Sequence, residues 1–273
     1  MPELPETETL ARDLNASLVG RIIARVEVPH ADVLRVITAR SMQRLLPARV
    51  VEHVWRRAKA VIIDLTGDRR IVVVPRFTGG LLLRADAVPD DRYDAVRFRL
   101  QDGATLAYRD VRRLGTVSVY DARAFEEFDR RLGKEPLDPA FTTSELSASL
   151  QSSNQPVKKI LMDQRRIAGV GNIYANEALW AARIDPSRPG RTITEGQAGA
   201  LRDALVSILM KAIDARGTTF RDYRDANGNR GGFAAQLAAY GRGGEPCVRC
   251  GARLTMTHAI DGRATVFCHR CQS

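Results

Sequence analysis

Several features of secreted and membrane proteins are missing from this sequence. The 273 residues contain no run of about eighteen apolar residues and no apolar segment near the start, which argues against a membrane-spanning helix and a secretion signal. No cysteine occurs before Cys247, so the chain is not a disulfide-rich scaffold. No single basic amphipathic stretch collects the positive charge, which disfavours a membrane-surface helix. We therefore expect a soluble, intracellular protein.

Lysine is also scarce, although the chain is strongly basic. Only five of the 42 basic residues are lysines, and Lys59 is the only one in the first 133 residues. The net charge of +10 is typical of a protein that binds a polyanion, most commonly nucleic acid. Because a lysine can lose its proton whereas an arginine stays charged, Lys59 is a candidate for chemistry, and a solvated basic turn is the simpler alternative.

The hydrophobic pattern changes along the chain from helical to extended and back to helical. Leucines at every fourth position in residues 6–18 predict an amphipathic helix, and short alternating segments from about residue 20 to 120 predict an antiparallel sandwich or barrel. After a proline-containing stretch at 133–139, helical periodicity appears in residues 144–151, 156–165, 173–183 and 195–215. The polar, glycine-rich segment 216–232 has the composition of a loop. The sequence therefore predicts two domains with a boundary near residue 133.

The four cysteines form the most specific motif in the chain. Cys247 and Cys250 are separated by two residues, as are Cys268 and Cys271, and seventeen residues lie between the pairs. This is the spacing of a zinc ribbon, in which four thiolates hold one tetrahedral Zn²⁺ and leave no open position for catalysis. Two disulfides are the alternative, but they are rare in intracellular proteins. We expect one structural zinc in a basic finger that contacts phosphates.

The N-terminus places Pro2 beside the carboxylates of Glu3 and Glu6. If the initiator methionine is removed, Pro2 carries a secondary amine with a pKa of roughly 8, which can attack an electrophilic carbon and form an iminium. A simple helix start is the alternative, because proline suits the first turn and glutamate favours the positive end of the helix. The N-terminal residues alone leave both interpretations open.

A glycine-containing turn precedes one of the predicted helices. Gly169 and Gly171 permit a tight turn that exposes backbone N–H groups at the start of the helix, an arrangement that binds phosphate. The signal is weak by itself, since glycine turns between helices are common. The lysine and Ser/Thr of a nucleotide-binding P-loop are absent from this segment, so ATP or GTP binding is not indicated.

Six separated segments together resemble the formamidopyrimidine-DNA glycosylase family. They are residues 2–8, 57–59, 109–115, 169–177, 240–242 and the four-cysteine finger, in the order of the family and over nearly the whole chain. The resemblance implies an α+β multidomain fold with an N-terminal helix plus an antiparallel β-sandwich, a helix–two-turn–helix domain and a C-terminal four-cysteine zinc finger. The implied domains are 1–132, 133–238 with a lesion-capping loop at 216–232, and 239–273, with DNA bound between domains.

The resemblance also implies an activity and a set of site residues. The activity is that of a bifunctional glycosylase and abasic-site lyase, which excises 8-oxoguanine and formamidopyrimidines from double-stranded DNA through a Pro2 iminium and cleaves the strand by β,δ-elimination. Glu3 is implied as the proton donor and Lys59 as a contact to the phosphate or opened sugar. The implied supporting residues are Glu6 and Glu177. The implied DNA contacts are Phe77, Arg112, Leu114, Lys158, Asn172, Tyr240 and Arg263, and the implied lesion-loop residues are Thr218 and Thr219.

This sequence departs from the family pattern where side chains fill the gap left by an extruded base. Val74-Pro75-Arg76-Phe77 stands where the family usually has His-Leu-Gly-Met, and Leu114 stands where it has phenylalanine. Exchanging an aromatic and an aliphatic wedge could preserve the filling volume. An endonuclease VIII-like glycosylase for oxidised pyrimidines and a non-catalytic damaged-DNA binder stay open as alternatives. In each case we expect a monomeric, cytoplasmic, nucleoid-associated bacterial protein.

Overall fold

The computed structural model describes residues 2–85 and 88–273, and the chain divides into two compact units. The first contains Met1–Arg130 together with Ala215–Gly232, and the second contains Arg131–Asp214 together with Phe233–Ser273. This grouping differs from the expected domains because the 216–232 loop joins the first unit and the cysteine finger joins the helices of the second. Among the described residues, no helix is long and apolar enough to cross a membrane.

Within its described residues, the first unit contains two four-stranded antiparallel sheets and three α-helices, which confirms the predicted sandwich. The helices are α1 (Leu4–Leu18), α2 (Ala39–Leu45) and α3 (Ala122–Asp129). The strands are β1 (Ile23–Glu27), β2 (Val51–Arg57), β3 (Ala60–Leu65), β4 (Arg69–Val74), β5 (Gly79–Arg84), β6 (Asp94–Leu100), β7 (Thr105–Asp110) and β8 (Thr116–Tyr120). The sheet orders are β1-β6-β7-β5 and β2-β3-β4-β8.

Helix α1 is fixed against the sandwich by its leucine face. Leu10, Leu14 and Leu18 are fully buried, and they belong to one core cluster with Ile63 of one sheet and Phe98 of the other. Burying each of these leucines contributes roughly 1.5–3 kcal/mol relative to leaving it in water. The helix therefore forms a rigid support for the residues that precede it.

Two connections carry the chain between the sheets at one end of the sandwich. Residues 75–78 lead from β4 to β5, and residues 111–115 lead from β7 to β8. Val74 pairs with Thr116 in one sheet, and Gly79 pairs with Asp110 in the other. The residues that flank the two connections are therefore paired with each other at both ends, so the connections run side by side.

The second unit consists of three short helices, one long helix and a small two-stranded finger. The helices are α4 (Thr143–Gln151), α5 (Val157–Met162), α6 (Asn172–Ala181) and α7 (Glu195–Asp214), and the finger strands are β9 (Thr255–Thr257) and β10 (Thr265–Phe267). Helix α5 ends three residues before the predicted position. The Gln164 side chain accepts a hydrogen bond from the Gly169 N–H at 2.9 Å and donates to the Val170 carbonyl at 2.8 Å. These bonds stabilise the turns between α5 and α6 instead of a longer helix.

Candidate active site and DNA interface

The start of α1 buries the predicted nucleophile and proton donor. Pro2 is buried, and Glu3 is the N-cap residue with only 3% of its surface exposed. The Glu6 carboxylate accepts a hydrogen bond from the Glu3 N–H at 2.8 Å, as part of a capping box. Helix α1 begins at Leu4, whereas the leucine periodicity predicted a start at residue 6. The capping box fixes Glu3 and allows the helix to begin directly after it. Pro2 therefore lies on an ordered backbone.

Glu6 also joins this helix start to the 215–232 segment, which is far away in sequence. Its Oε1 accepts a hydrogen bond from the Thr218 N–H at 2.7 Å, while Oε2 holds Glu3, and the side chain is only 1% exposed. The Tyr223 hydroxyl donates to the Glu6 carbonyl at 3.3 Å. Burial, followed by the charge of Glu6, raises the pKa of Tyr223, so its hydroxyl stays a donor. One carboxylate thus holds both the N-terminus and the predicted lesion loop.

The 215–232 segment contains an ion pair between the exposed Arg216 and the buried Asp225. Asp225, 1% exposed, accepts hydrogen bonds from Arg216 at 2.6 and 3.0 Å and from the N–H groups of Asn227 and Asn229. Burial opposes the ionisation of Asp225, but the hydrogen bonds from Arg216 and the backbone outweigh it, so its pKa is lowered. The base of the segment is therefore ordered, while its outer residue Phe220 is half exposed.

The predicted lesion-loop threonines lie at the base of this segment. Thr218 and Thr219 are 4% and 5% exposed. The Thr219 hydroxyl donates to the Tyr223 carbonyl at 3.0 Å and accepts from the Gly231 N–H at 2.9 Å. The two buried threonines therefore stabilise the base of the segment, and exposed residues such as Phe220 form its outer surface.

Lys59 lies in a tight hairpin turn next to the first turn of α1. Arg57 pairs with Ala60, so Ala58 and Lys59 form a two-residue turn between β2 and β3, with Ala58 at a positive φ of 53°. The Thr7 hydroxyl is 3.5 Å from the Ala58 carbonyl oxygen. The pairing of β2 with β3 therefore places the half-buried Lys59 at the same end of α1 as Pro2 and Glu3.

The three predicted wedge residues occupy the paired connections between the sheets. Phe77 lies in one connection and is 47% exposed, and Leu114 lies in the other and is 40% exposed. The Arg112 guanidinium carbon is 5.1 Å from the centre of the Phe77 ring, which is a cation–π distance. The structure thus brings an aromatic, a cationic and an aliphatic side chain to one end of the sandwich.

In the second unit, α6 holds the finger hairpin that carries Arg263. The Asn172 amide donates to the Ala264 carbonyl at 3.0 Å, and the Asn176 side chain accepts from the Val266 N–H at 2.7 Å. Two predicted phosphate contacts, Asn172 and the exposed Arg263, are therefore next to each other. The side-chain amide of Asn172 is already used within the protein.

The predicted DNA contact of Lys158 is not supported by its position. Its side chain is fully buried, and its ammonium donates to Thr265 Oγ1 at 2.7 Å and lies 3.3 Å from Asp261 Oδ1. A buried ammonium needs such a partner, because removing an unpaired charge from water is costly. Lys158 connects α5 to the finger instead of facing a phosphate.

Glu177 supports the turn that carries Tyr240. Its carboxylate accepts hydrogen bonds from the N–H groups of Ala238, Ala239 and Tyr240 at 2.7–2.9 Å and is 4% exposed. Burial raises the pKa of Glu177, although these three N–H groups act against the rise. Tyr240 is half-buried at the entrance to the finger.

The four cysteines fit one tetrahedral zinc ion. All four are free, and their Sγ atoms lie within 4.8 Å of one another, with Cys250 and Cys268 at 3.6 Å. Four thiolates at the usual Zn–S distance are about 3.8 Å apart. Despite its burial, hydrogen bonds from the Arg249 N–H and other neighbours lower the pKa of Cys247 to about 6. The prediction of one structural zinc is confirmed. The alternative of two disulfides does not fit, because all four cysteines are free.

The roles of two further residues, Arg249 and Gln272, depend on partners that are distant in sequence. Arg249, one of the basic residues of the predicted phosphate-binding finger, lies 4.1 Å from the centre of the Trp180 ring and donates to the Trp180 and Ala181 carbonyls. Gln272 accepts from the Cys268 N–H and donates to the Ile184 carbonyl, which attaches the finger to the helices. No local pattern distinguishes such side chains from ordinary surface residues.

Family models cover most of the chain. A formamidopyrimidine-DNA glycosylase N-terminal domain model matches residues 1–117, and a formamidopyrimidine-DNA glycosylase H2TH domain model matches residues 132–224. A model for the zinc finger found in FPG and IleRS matches residues 244–273. The matched ranges follow one another in the order of the predicted domains.

Full-length relatives and solved structures are also similar to this chain. A formamidopyrimidine-DNA glycosylase of Moorella thermoacetica is 42% identical over 256 residues, covering 93% of each chain. Wild-type Lactococcus lactis Fpg (MutM) bound to DNA containing N7-benzyl-Fapy-dG has a TM-score of 0.92, 30% identity and full coverage of both chains. The same TM-score, identity and coverage apply to the Lactococcus lactis protein bound to DNA containing an oxidised pyrimidine.

Removing the zinc should weaken DNA binding without abolishing chemistry at the N-terminus. In the Cys250→Ser variant, one zinc ligand is lost, so we expect a loosened finger and at least about tenfold weaker duplex binding. Fluorescence anisotropy measures the affinity, and cleavage of an abasic-site duplex at saturating protein measures the remaining activity. Chelated and zinc-reconstituted wild-type protein is the control. Unchanged affinity in the variant would contradict a role for the finger in binding.

Glu6→Gln should release the 215–232 segment from the helix start. An amide cannot accept hydrogen bonds from both the Glu3 and Thr218 N–H groups at its two termini, and losing one buried bond costs about 1–3 kcal/mol. We expect faster hydrogen exchange in residues 215–232 and about tenfold slower base excision. Asp94→Asn is the matched control, since Asp94 is equally buried but bonds to Arg84 and Arg97. Protection of the segment as in wild type would rule out this role.

Proposed function

Because the chain belongs to the formamidopyrimidine-DNA glycosylase family and is a base excision repair glycosylase for oxidised purines, we propose that its chemistry takes place at the Pro2 nitrogen. The observation that carries this proposal is the ordered helix start, where Glu6 holds the residue after Pro2 at 2.8 Å. The first residues of a helix often fray, so a helix start that is buried and held by a capping box requires a reason. A nucleophile whose position must be fixed provides one.

The proposed reaction releases the damaged base and then cleaves the DNA strand. The Pro2 nitrogen attacks C1′ of the damaged nucleoside, the bond from C1′ to the base breaks, and the base leaves with its electron pair and a proton. The buried Glu3 carboxyl supplies a proton to the base or to the opening sugar. The nitrogen loses its proton and the C1′–O4′ bond breaks as O4′ is protonated, which leaves an iminium between the nitrogen and C1′. The iminium withdraws electrons, so loss of a C2′ proton breaks the C3′–O3′ bond and expels the 3′ phosphate. Loss of a C4′ proton then breaks the C5′–O5′ bond and expels the 5′ phosphate. The family carries this abasic-site lyase activity.

The remaining site residues hold DNA around the lesion. Lys59 contacts the phosphate or opened sugar, since its turn lies beside the first turn of α1. Asn172, Tyr240 and Arg263 contact the backbone from the second unit. The wedge residues Phe77, Arg112 and Leu114 enter the stack when the damaged base leaves it. The net charge of +10 supports binding to phosphates and a steep loss of affinity with salt.

Oxidised pyrimidines are a second candidate class of substrate. One structure of the similar Lactococcus lactis protein contains an oxidised pyrimidine in the DNA. The aromatic Phe77 and the aliphatic Leu114 also change the surface that replaces the lost base. We propose 8-oxoguanine and formamidopyrimidines as the main substrates and oxidised pyrimidines as weaker ones. The protein acts as a monomer on the bacterial nucleoid in the cytoplasm.

Blocking the N-terminus should abolish chemistry while leaving DNA binding intact. The same polypeptide can be prepared with a removable N-terminal extension and then cleaved to leave Pro2 as the first residue. The extended form lacks the secondary amine, so we expect base release and strand cleavage to fall at least about a hundredfold. Duplex affinity should change little, and proteolytic removal of the extension should restore activity. Equal activity in both forms would contradict the Pro2 mechanism.

A panel of single-lesion duplexes should rank the substrates. Under single-turnover conditions we expect 8-oxoguanine and formamidopyrimidine to be released at least about tenfold faster than oxidised pyrimidines. Base release is measured by mass spectrometry, separately from strand cleavage. A higher rate on oxidised pyrimidines would favour the endonuclease VIII-like alternative, and binding without release of any base would favour a non-catalytic protein.

A further inference from the structure

Asp110 is a buried carboxylate that none of the site assignments above uses. It is the last residue of β7 and is 1% exposed. Its Oδ1 accepts hydrogen bonds from the Thr78 hydroxyl at 2.6 Å and the Arg112 N–H at 3.2 Å. Its Oδ2 accepts from the Tyr108 hydroxyl at 3.0 Å and the Gly115 N–H at 2.9 Å. An ionised carboxylate has about four acceptor positions, and all four are occupied here.

The donors belong to both connections between the sheets. Thr78 follows Phe77 in the first connection, and Arg112 and Gly115 lie in the second on either side of Leu114. The Arg112 N–H is also 3.0 Å from the Thr78 hydroxyl oxygen, so the two connections are joined directly as well. A single side chain therefore fixes the relative position of the segments that carry all three wedge residues.

Each connection contains a residue in the left-handed region of backbone conformation. Phe77 has a φ of 41° and Arg113 a φ of 50°. Such conformations are unfavourable for residues with a Cβ and persist only where surrounding contacts enforce them. Phe77 is adjacent to Thr78, and Arg113 is adjacent to Arg112, so the Asp110 hydrogen bonds act directly beside both strained residues.

The packing around the Tyr108 hydroxyl shows that this arrangement depends on close approach. A Cβ on Gly115 would lie 2.0 Å from the Tyr108 hydroxyl oxygen and 2.7 Å from the Val74 carbonyl oxygen. A Cβ on Gly79 would lie 2.7 Å from the same hydroxyl. Burial, followed by the charge of Asp110, raises the pKa of Tyr108, which keeps the hydroxyl protonated as a donor.

We propose that Asp110 is a positioning residue, which holds the two connections in the shape that inserts Phe77, Arg112 and Leu114 into the duplex. This inference rests on the proposed function, because it assumes that these side chains replace the extruded base. A wedge that is already shaped in the free protein loses less conformational entropy when it enters the stack. Asp110 therefore acts on base extrusion and not on bond breaking at C1′.

Asp110→Asn tests this role in the full-length protein. An amide nitrogen would face one of the N–H or O–H donors, so at least one hydrogen bond is lost. We expect extrusion of 8-oxoguanine to slow by about tenfold or more, measured by stopped-flow fluorescence of 2-aminopurine beside the lesion. Cleavage of an abasic site in single-stranded DNA, which has no stack to fill, should stay within about twofold of wild type.

Two controls separate positioning from general destabilisation. Asp94→Asn removes an equally buried carboxylate from the neighbouring strand β6, whose partners are Arg84, Arg97 and the Asp91 N–H. It should lower thermal stability but leave extrusion within about twofold of wild type. Phe77→Ala removes a wedge directly and should slow extrusion. If Phe77→Ala leaves extrusion unchanged, the wedge assignment is wrong and the Asp110 role is overturned with it.

The Asp110 role is overturned on its own if Phe77→Ala slows extrusion and Asp110→Asn does not. It is also overturned if Asp110→Asn slows single-strand cleavage as much as extrusion, since that result indicates a general structural defect. If Asp110→Asn does not fold, Thr78→Val removes the 2.6 Å bond to Oδ1 together with the 3.0 Å bond from the Arg112 N–H to the Thr78 hydroxyl. Thr78→Val should slow extrusion and Thr78→Ser should restore it, whereas wild-type extrusion in Thr78→Val would contradict the proposal.

Discussion

The structure depends on buried carboxylates that accept hydrogen bonds from irregular segments of the chain. Glu6 holds both the helix start and the 215–232 segment, Glu177 holds the turn that leads into the finger, and Asp110 holds the two connections between the sheets. Each carboxylate lies on a regular element and binds N–H groups of an irregular one. Loops normally move, and bonds of this kind give the loops of the site the precision of the strands and helices that carry the acids.

The same arrangement explains which features the sequence could predict. The sandwich and the helices follow from local periodicity, and the zinc site follows from the spacing of Cys247, Cys250, Cys268 and Cys271. The Glu6 bond to Thr218 joins residues that are 212 positions apart, so no local pattern reveals it. The resemblance implied Lys158 as a DNA contact, and its burial depends on Asp261, which is 103 residues away. Sequence patterns therefore located the functional segments but not the contacts that hold them.

Two departures of this chain from the family pattern, Phe77 and Leu114, lie in the paired connections between the sheets. Phe77 and Leu114 change the chemistry of the wedge, while the carboxylate beneath them, Asp110, has all its acceptor positions filled. The contact of Arg112 with the Phe77 ring gives the wedge a stacked cation and an aromatic face. We infer that variation in these exposed side chains changes lesion preference without altering the proposed reaction at Pro2.

The most direct test of the central claim is to identify the atom that becomes covalently attached to DNA. Sodium borohydride reduces an iminium to a stable amine, so the protein can be trapped on a duplex containing a single 8-oxoguanine and digested for tandem mass spectrometry. The Pro2 mechanism predicts one adduct, on the nitrogen of Pro2 as the first residue. An adduct on Lys59 instead, or base release with no trapped adduct, would contradict it.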